Sequence, residues 1–182
     1  RYYDGSAEEL QVSFLPMMCQ HCGNAPCEPV CPVFATYHNE EGLNVMTYNR
    51  CVGTRYCSNN CSYKVRRFNW YQYDFPEPMN WQLNPDVTPR NVGVMEKCTF
   101  CFQRINAGKD KAKDLGRVVQ DGDIQPACEQ SCPTQALSFG NFNDPNSQVS
   151  KLSKDKRAYK VLDHHLNTQP SVVYLEDRRY KI

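Results

Sequence analysis

The amino-acid sequence predicts a small α+β fold in which short hairpins and helices are separated by long loops. Its 11 cysteines fall into three runs with similar internal spacing, so that one structural unit is repeated along the chain. Its 12 prolines, several of them between residues 74 and 93, exclude long regular elements there. Only 40% of the residues are hydrophobic, which is little for an apolar core. We therefore expect bound cofactors to help hold the fold together.

The composition limits the classes of protein to which the chain can belong. Its 182 residues fit one domain or two small ones. A formal net charge of +1 gives no basic surface for nucleic acid, which we do not expect as a partner. No segment approaches the roughly eighteen apolar residues of a membrane-spanning helix, and no signal peptide is present. Since the sequence begins at Arg1, we expect the chain to be part of a longer product.

The first cysteine run lies in a loop rich in Gly, Asn and Pro and consists of Cys19, Cys22, Cys27 and Cys31. Before it, the apolar residues between 12 and 15 predict a short strand. After it, Pro32 suits the first turn of a short helix. A turn at Glu41-Gly42 and a strand over 43–48 are expected to follow.

The second run consists of Cys51, Cys57 and Cys61, with Thr54 where the spacing predicts a further cysteine. A basic and aromatic stretch follows over 64–71, and the proline-rich segment 74–93 predicts an irregular excursion.

The third run consists of Cys98, Cys101, Cys128 and Cys132. We expect a helix that begins near Cys101 and ends near Asn106, followed by a polar insert. The apolar residues 136–139 come after the last cysteine, and the tail beyond Gly140 contains no cysteine.

Cysteine-rich sequences of this kind have three chemical interpretations. Disulfides would leave one of the 11 thiols unpaired. A zinc ion favours two separated Cys-x2-Cys pairs. Closely spaced cysteines followed by one that precedes proline are typical of iron–sulfur clusters, and Cys31 and Cys132 both precede proline. The spacing favours clusters over the two alternatives and predicts tandem modules like those of bacterial ferredoxins.

The ferredoxin pattern assigns the cysteines of the first two runs to two clusters. In two-cluster ferredoxins the fourth cysteine of each run binds the other cluster. Site 1 is therefore predicted to hold a [4Fe–4S] cluster on Cys19, Cys22, Cys27 and Cys61. Site 2 is predicted to consist of Cys31, Cys51 and Cys57, with Thr54 facing the fourth iron.

Thr54 changes the cluster that we expect at site 2. A neutral hydroxyl is a poor ligand for iron in these clusters compared with a thiolate. A cube with one unligated corner readily loses that iron, so we predict a [3Fe–4S] cluster with Thr54 facing the vacant corner. The alternative is a retained [4Fe–4S] cluster with water or hydroxyl on its fourth iron.

The third run is incomplete by the same rule. Site 3 is predicted to hold a [4Fe–4S] cluster on Cys98, Cys101 and Cys128, with its fourth ligand outside this chain. Cys132 is predicted to bind a further [4Fe–4S] cluster shared with a missing run. Four clusters with four cysteines each would require sixteen; the loss at position 54 and an absent run of four leave the 11 observed. We expect that run upstream of Arg1 or in a partner chain.

These assignments divide the chain into a cluster-binding domain over 1–140 and a C-terminal tail over 141–182. We expect the tail to pack on that domain or on a partner subunit. No side-chain set for catalysis is recognisable, so we expect electron transfer rather than catalysis on this chain itself.

Several other residues have two open interpretations. Lys64 and Arg66 follow Cys61, so they either lie beside a cluster, where positive charge raises its potential, or belong to a solvated basic surface. The aromatic residues between 70 and 75 could form a docking surface or pack around a cofactor. His21 is expected beside a cluster or at the surface rather than as a ligand, and His164 and His165 are expected at the surface.

The chain resembles the four-cluster ferredoxin-like subunits of membrane-associated molybdopterin oxidoreductases, such as the polysulfide, dimethyl sulfoxide and cytochrome-linked nitrite reductase systems. The resemblance extends from Cys19-Gln-His-Cys22 to the closing stretch 170–175. Those subunits usually have cysteine at the position of Thr54 and proline at that of Ser62. The resemblance implies an electron-transfer subunit that serves a molybdenum-containing catalytic subunit, which is the alternative function here.

The stretches 51–57, 63–69 and 93–101 are more similar still to the iron–sulfur subunit of bacterial alternative complex III, a quinol-oxidising respiratory complex. This resemblance implies the main expected function, transfer of electrons from quinol toward c-type haems. It also implies a polytopic quinol-binding membrane subunit, c-type cytochrome subunits and a molybdoenzyme-like domain or subunit as partners. The implied location is the periplasmic face of the bacterial cytoplasmic membrane.

Overall fold

The computed structural model describes residues 2–177, and all regular elements within that range are short. The strands are β1 (Tyr2–Asp4), β2 (Gln11–Ser13), β3 (Thr36–His38), β4 (Asn44–Met46), β5 (Arg67–Phe68), β6 (Met95–Glu96), β7 (Ala158–Tyr159) and β8 (Tyr174–Leu175). The helices are α1 (Tyr56–Asn60), α2 (Phe102–Asp114), α3 (Ala127–Gln130), α4 (Gln148–Ser153) and α5 (Asp163–Leu166). The predicted α+β class, with long loops, is what the structure shows.

The strands pair as four separate antiparallel hairpins, β1 with β2, β3 with β4, β5 with β6, and β7 with β8. The strand predicted over 12–15 corresponds to β2, which begins one residue earlier and ends at Ser13. The strand predicted over 43–48 is β4, and the turn before it is closed by Gly42 N–H donating to the Asn39 carbonyl at 3.0 Å. The β5–β6 pair encloses the proline-rich excursion.

The helix predicted after Pro32 is wrong, because the chain makes only one turn there. Phe34 N–H donates to the Cys31 carbonyl at 3.3 Å, and Phe34 then adopts a left-handed conformation with φ of 50°. A non-glycine residue in that conformation cannot continue a right-handed helix. The chain therefore leaves the turn directly into β3.

The same turn ends each of the three cysteine runs. The residue three positions after the last cysteine is left-handed in every case, and these residues are Phe34, Lys64 and Gln135, with φ of 50°, 54° and 52°. Each donates its N–H to the carbonyl of that cysteine, at 3.2–3.3 Å. The backbone thus repeats as the cysteine spacing predicts. The third repeat differs in that residues 136–139 form no strand.

Helix α2 is longer than predicted, because the stretch expected to be a polar insert is helical to Asp114. Its buried residues Ile105, Gly108 and Ala112 follow helical spacing and form one face. Gly108 is required there, since a Cβ on it would lie 2.5 Å from Ile124 Cγ1. Its charged residues lie on the other faces and are mostly exposed.

The C-terminal tail contacts the loop of the first cysteine run. The carbonyls of Thr168 and Gln169 accept hydrogen bonds from Asn24 and Gly23 N–H, at 3.1 and 2.8 Å. The Tyr63 hydroxyl, buried behind the second run, bonds Thr168 Oγ1 at 2.7 Å. These contacts place the tail across the cysteine-containing core.

Cysteines form much of the buried core of the described chain. The central group of buried side chains comprises Cys22, Ala25, Cys27, Cys57, Cys61, Tyr63 and Met95. Small apolar side chains around thiols leave room that a larger group could fill. No helix within residues 2–177 has the length and apolar character needed to cross a membrane.

Candidate cluster-binding sites

The three cysteine runs begin with the same backbone geometry. Two residues after the first cysteine of each run, the chain is left-handed, at His21, Gly53 and Phe100, with φ of 43°, 74° and 54°. The following residue is Cys22 in the first run and Cys101 in the third. Thr54 therefore occupies the position of the second cysteine in its run, as the spacing predicts.

The cysteines of site 1 line one cavity. Cys19, Cys22, Cys27 and Cys61 are all buried and surround a space of about 310 Å³, part of it open to solvent. The rest of its lining consists of Ala25, Pro26, Val65, Tyr63, Ser62, Gln20, Asn44 and Arg66. The structure thus brings together the four residues that the crossing pattern assigns to one cluster, including Cys61 from the second run.

The residues of site 2 line a second cavity. Cys31, Cys51, Cys57 and Thr54 surround a space of about 300 Å³, together with Ala35, Thr36, Met46 and Met95. Thr54 is exposed on its outer side, so this cavity lies near the surface. The neighbouring Arg55 guanidinium stacks on the rings of Phe68 and Trp70, at 5.2 and 4.8 Å from their centroids.

Gly53 holds the loop of site 2 against the neighbouring segment. Its φ of +74° favours glycine, and a Cβ there would lie 2.5 Å from the Gly93 carbonyl oxygen. We expect Gly53→Ala to destabilise the fold by about 1–3 kcal/mol, since the left-handed backbone and the contact both oppose it. Thermal unfolding and iron content of the intact complex would measure this. Gly42→Ala, at a left-handed turn with open space around it, is the matched control, and an equal loss in both variants would contradict the role of the contact.

Backbone N–H groups point at several of the cysteine sulfurs. Those of Ala35, Met95, Phe100, Ala127 and Ala136 donate to the Sγ atoms of Cys31, Cys51, Cys98, Cys101 and Cys132, at 3.2–3.5 Å. A neutral thiol is a weak acceptor, whereas a thiolate bound to metal accepts such bonds well. Hydrogen bonds to ligand sulfurs are also one means of setting cluster potentials.

The thiols of site 1 are crowded and desolvated. Burial, together with the neighbouring thiols of Cys19, Cys27 and Cys61, raises the pKa of Cys22 to about 12. A buried thiol among other thiols, as Cys22 is, stays protonated unless a cation replaces its proton. Iron would supply that cation, since its ligands bind as thiolates.

Arg66 is buried between the two cavities rather than on a solvated basic surface. It is 2% exposed, and its Nη2 donates to Cys27 Sγ at 3.2 Å. Its Nη1 donates to Thr36 Oγ1, in the wall of site 2, at 3.1 Å. Burial opposes its charge, but the Cys27 and Cys57 thiols more than compensate and raise the pKa of Arg66. Lys64 instead is exposed and donates to the Asn59 carbonyl.

Lys97 has no counterpart among the predictions. It is buried beside the third run and donates to the carbonyls of Asn44 and Cys98. His21, expected beside a cluster or at the surface, is fully buried, and its ring stacks on Phe100 with 4.0 Å between the centroids. Its Nε2–H donates to the Cys98 carbonyl at 3.1 Å, and burial lowers the pKa of His21 to about 3. The neutral ring joins the first run to the third.

The cysteines of site 3 are less enclosed than those of site 1. Burial raises the pKa of Cys98, and the Cys19 and Cys128 thiols raise it further. Ala127 N–H reaches Cys101 from the start of α3. Cys128 is exposed, whereas the cysteines of site 1 are all buried. Cys132 lies apart from them and bonds Ala136 N–H and Thr134.

The arrangement fits an iron–sulfur cluster better than the other two chemistries. None of the 11 cysteines, all within the described range, is paired in a disulfide. Among residues 2–177, no three Cys, His, Asp or Glu side chains converge closely enough to hold a single metal ion. Thiols that line one space from several sides suit a polynuclear group several ångströms across.

A family model supports this conclusion. Residues 10–76, which contain the first two runs, match the 4Fe–4S dicluster domain. This part of the chain is therefore a ferredoxin-like domain of the two-cluster, iron–sulfur-binding class. The match leaves the type of cluster at site 2 to experiment.

Similar proteins extend the comparison to nearly the whole chain. The iron–sulfur cluster-binding subunit of menaquinone reductase from Nitratidesulfovibrio vulgaris is 46% identical over 94% of this chain and 69% of its own length. The Hdr-like menaquinol oxidoreductase iron–sulfur subunit 1 from Archaeoglobus fulgidus is 35% identical over 88% of this chain, and a tetrathionate reductase subunit from Salmonella typhimurium is 35% identical over 94%. The chain spans 56% and 55% of the lengths of those two proteins.

The chain belongs to the family of iron–sulfur subunits that includes the cluster-binding subunit of menaquinone reductase. This is the wider of the two resemblances that the sequence carries. The relatives are named for several different complexes.

Proposed function

We propose that the chain is an electron-transfer subunit of a membrane-associated oxidoreductase complex linked to the quinone pool. The observation that carries this proposal is the wall shared by sites 1 and 2. Arg66 lines site 1 and bonds Thr36, which lines site 2. Cofactors in adjoining cavities are placed to exchange single electrons, while the protein supplies their orientation and electrostatics.

The third run supports a longer row of clusters. The ring of His21, in the first run, bonds the Cys98 carbonyl of the third run, so site 3 adjoins site 1. The exposure of Cys128 supports completion of site 3 by a cysteine outside this chain. Cys132, in the same turn as Cys31 and Cys61, would bind a further cluster with that missing run.

The names of the relatives support a quinone as the redox partner of the complex. Two of them are named for menaquinone or menaquinol chemistry. We infer a polytopic membrane subunit that binds the quinone and a molybdoenzyme-like domain or subunit at the other end of the row. The relative named for a tetrathionate reductase favours a molybdopterin oxidoreductase of the reductase type.

A second candidate is the quinol-oxidising alternative complex III. Thr54 and the resemblance over 51–57 and 63–69 favour it. In that version electrons pass from quinol toward c-type cytochrome subunits at the periplasmic face of the membrane. The three-iron cluster would then receive electrons from the quinol.

The proposal is tested on the intact complex isolated through this chain. We expect iron and sulfide in cluster amounts, and a menaquinol analogue to reduce clusters detected by EPR. Absence of iron and sulfide would refute the electron-transfer role, and clusters that quinol cannot reduce would refute the link to quinone. Stoichiometric molybdenum would favour the reductase type, whereas c-type haem without molybdenum would favour the second candidate.

A further inference from the structure

We propose that Arg66 and Lys97 are fixed positive charges placed between successive clusters, Arg66 between sites 1 and 2 and Lys97 between sites 1 and 3. Each charge raises the reduction potentials of the two clusters beside it, so the cluster of site 1 is raised by both. This inference rests on the proposed cluster sites. It identifies the residues that set the order of reduction potentials along the row of clusters.

Arg66 reaches both of its sites directly. Its guanidinium donates to the sulfur of Cys27, a predicted ligand of site 1, and to Thr36 in the wall of site 2. Its charge also acts on the Cys57 thiol of site 2, where it opposes the effect of burial on the pKa of Cys57. The planar guanidinium has donors in several directions and can serve both sides at once.

Lys97 has the corresponding place between sites 1 and 3. Its ammonium donates to the carbonyl of Cys98, a predicted ligand of site 3, at 3.1 Å. It also donates to the carbonyl of Asn44, a residue of the wall of site 1.

Asn44 connects the two cations. Its side-chain oxygen accepts from Arg66 at 2.9 Å, and its backbone carbonyl accepts from Lys97. Its side-chain amide donates to Glu28, which lies at the edge of this network. Both cations are thus held in fixed positions against one wall of site 1.

Arg66 and Lys97 are the two buried Arg or Lys side chains among the described residues. Neither of them forms an ion pair with a carboxylate in that part of the chain. A buried charge without a counter-ion is costly. Thiolates bound to iron carry net negative charge, which increases on reduction. The clusters would therefore supply the negative charge that balances Arg66 and Lys97. Because both cations are buried, their effect on the cluster potentials is little screened by solvent and salt.

The experiment is an EPR-monitored redox titration of the intact complex carrying Arg66→Gln or Lys97→Met. Arg66→Gln should lower the potentials of the clusters at sites 1 and 2. Lys97→Met should lower the potentials of the clusters at sites 1 and 3, so that one cluster is shifted in both variants. We expect the ratio of reduced to oxidised cluster at a fixed potential to fall about tenfold, about 59 mV for a one-electron couple. The cluster shifted by both is that of site 1, so the pattern itself assigns the signals.

Matched controls separate charge from packing. Arg66→Lys and Lys97→Arg keep the charge and should keep the potentials. Arg67→Met removes an exposed charge next to Arg66 and should shift nothing.

Normal iron content without the paired shifts, or an equal shift of every cluster, would overturn the inference. Clusters lost from the neutral variants but kept in the charge-conserving ones would overturn it too, because the charges would then serve assembly. A wild-type complex without iron and sulfide would instead refute the proposed function.

Discussion

Replacing Thr54 with cysteine should convert the cluster of site 2 from a three-iron to a four-iron form. Thr54 lines the cavity with Cys31, Cys51 and Cys57, at the position that Cys22 and Cys101 occupy in the other runs. A thiolate at that position completes the ligand set and retains the fourth iron. EPR of the oxidised complex should show loss of most of the three-iron signal, and iron analysis should show a gain of about one iron per chain.

The control is Thr54→Ser, which keeps the hydroxyl and removes only a methyl group. It should leave the three-iron signal at its wild-type intensity. A three-iron signal that persists in Thr54→Cys would contradict the assignment of the vacant corner to residue 54. A wild-type complex with four-iron signals alone would contradict the three-iron prediction while leaving the cavities and the electron-transfer role in place.

The grouping of the cysteines could be predicted because it depends on short-range geometry. The few residues between cysteines determine which side of a loop each sulfur faces. A left-handed conformation recurs at the same position in all three runs. The cavities accordingly contain the two predicted sets, one of which takes Cys61 and the other Cys31 from the opposite run. Binding of iron by these sets stays a prediction.

Helix α2 was predictable from the sequence, although the expectation stopped at Asn106. Ile105, Gly108 and Ala112 are spaced as one face of a helix, and the residues between them are mostly good helix formers. The frequent Lys and Asp residues obscured this pattern. They indicate the solvated faces of a helix as readily as a loop.

The positions of Arg66, Lys97 and His21 could not be predicted from local sequence. Lys64, Arg66 and Arg67 are similar residues within one basic stretch, yet only Arg66 is buried. Alternation along the extended chain explains why Arg66 faces inward and Arg67 outward, but which face is inward depends on β3 and β4. His21 is buried by Phe100, which is distant in sequence.

Cys61→Ala and Cys31→Ala are expected to have opposite effects on the two cavities. Cys61 belongs to the second run but lines site 1, and Cys31 belongs to the first run but lines site 2. Loss of a thiolate ligand removes one of four cysteine attachments at site 1, or one of three at site 2. Cys61→Ala should therefore abolish the four-iron signal of site 1, by loss of the cluster or by its conversion to a three-iron form, and keep the three-iron signal of site 2. Cys31→Ala should abolish the three-iron signal of site 2 and keep the four-iron signal of site 1, as measured by EPR of the intact complex.

Cys132→Ala is the matched control, because Cys132 ends its run in the same turn as Cys31 and Cys61 but lines neither cavity. It should keep the signals of sites 1 and 2 while iron content falls through the loss of a more distant cluster. If Cys61→Ala removed the three-iron signal instead, the cysteines would bind within their own runs. Each cysteine run would then bind its own cluster. The wall that sites 1 and 2 share at Arg66 would not result from an exchange of ligands between the two runs.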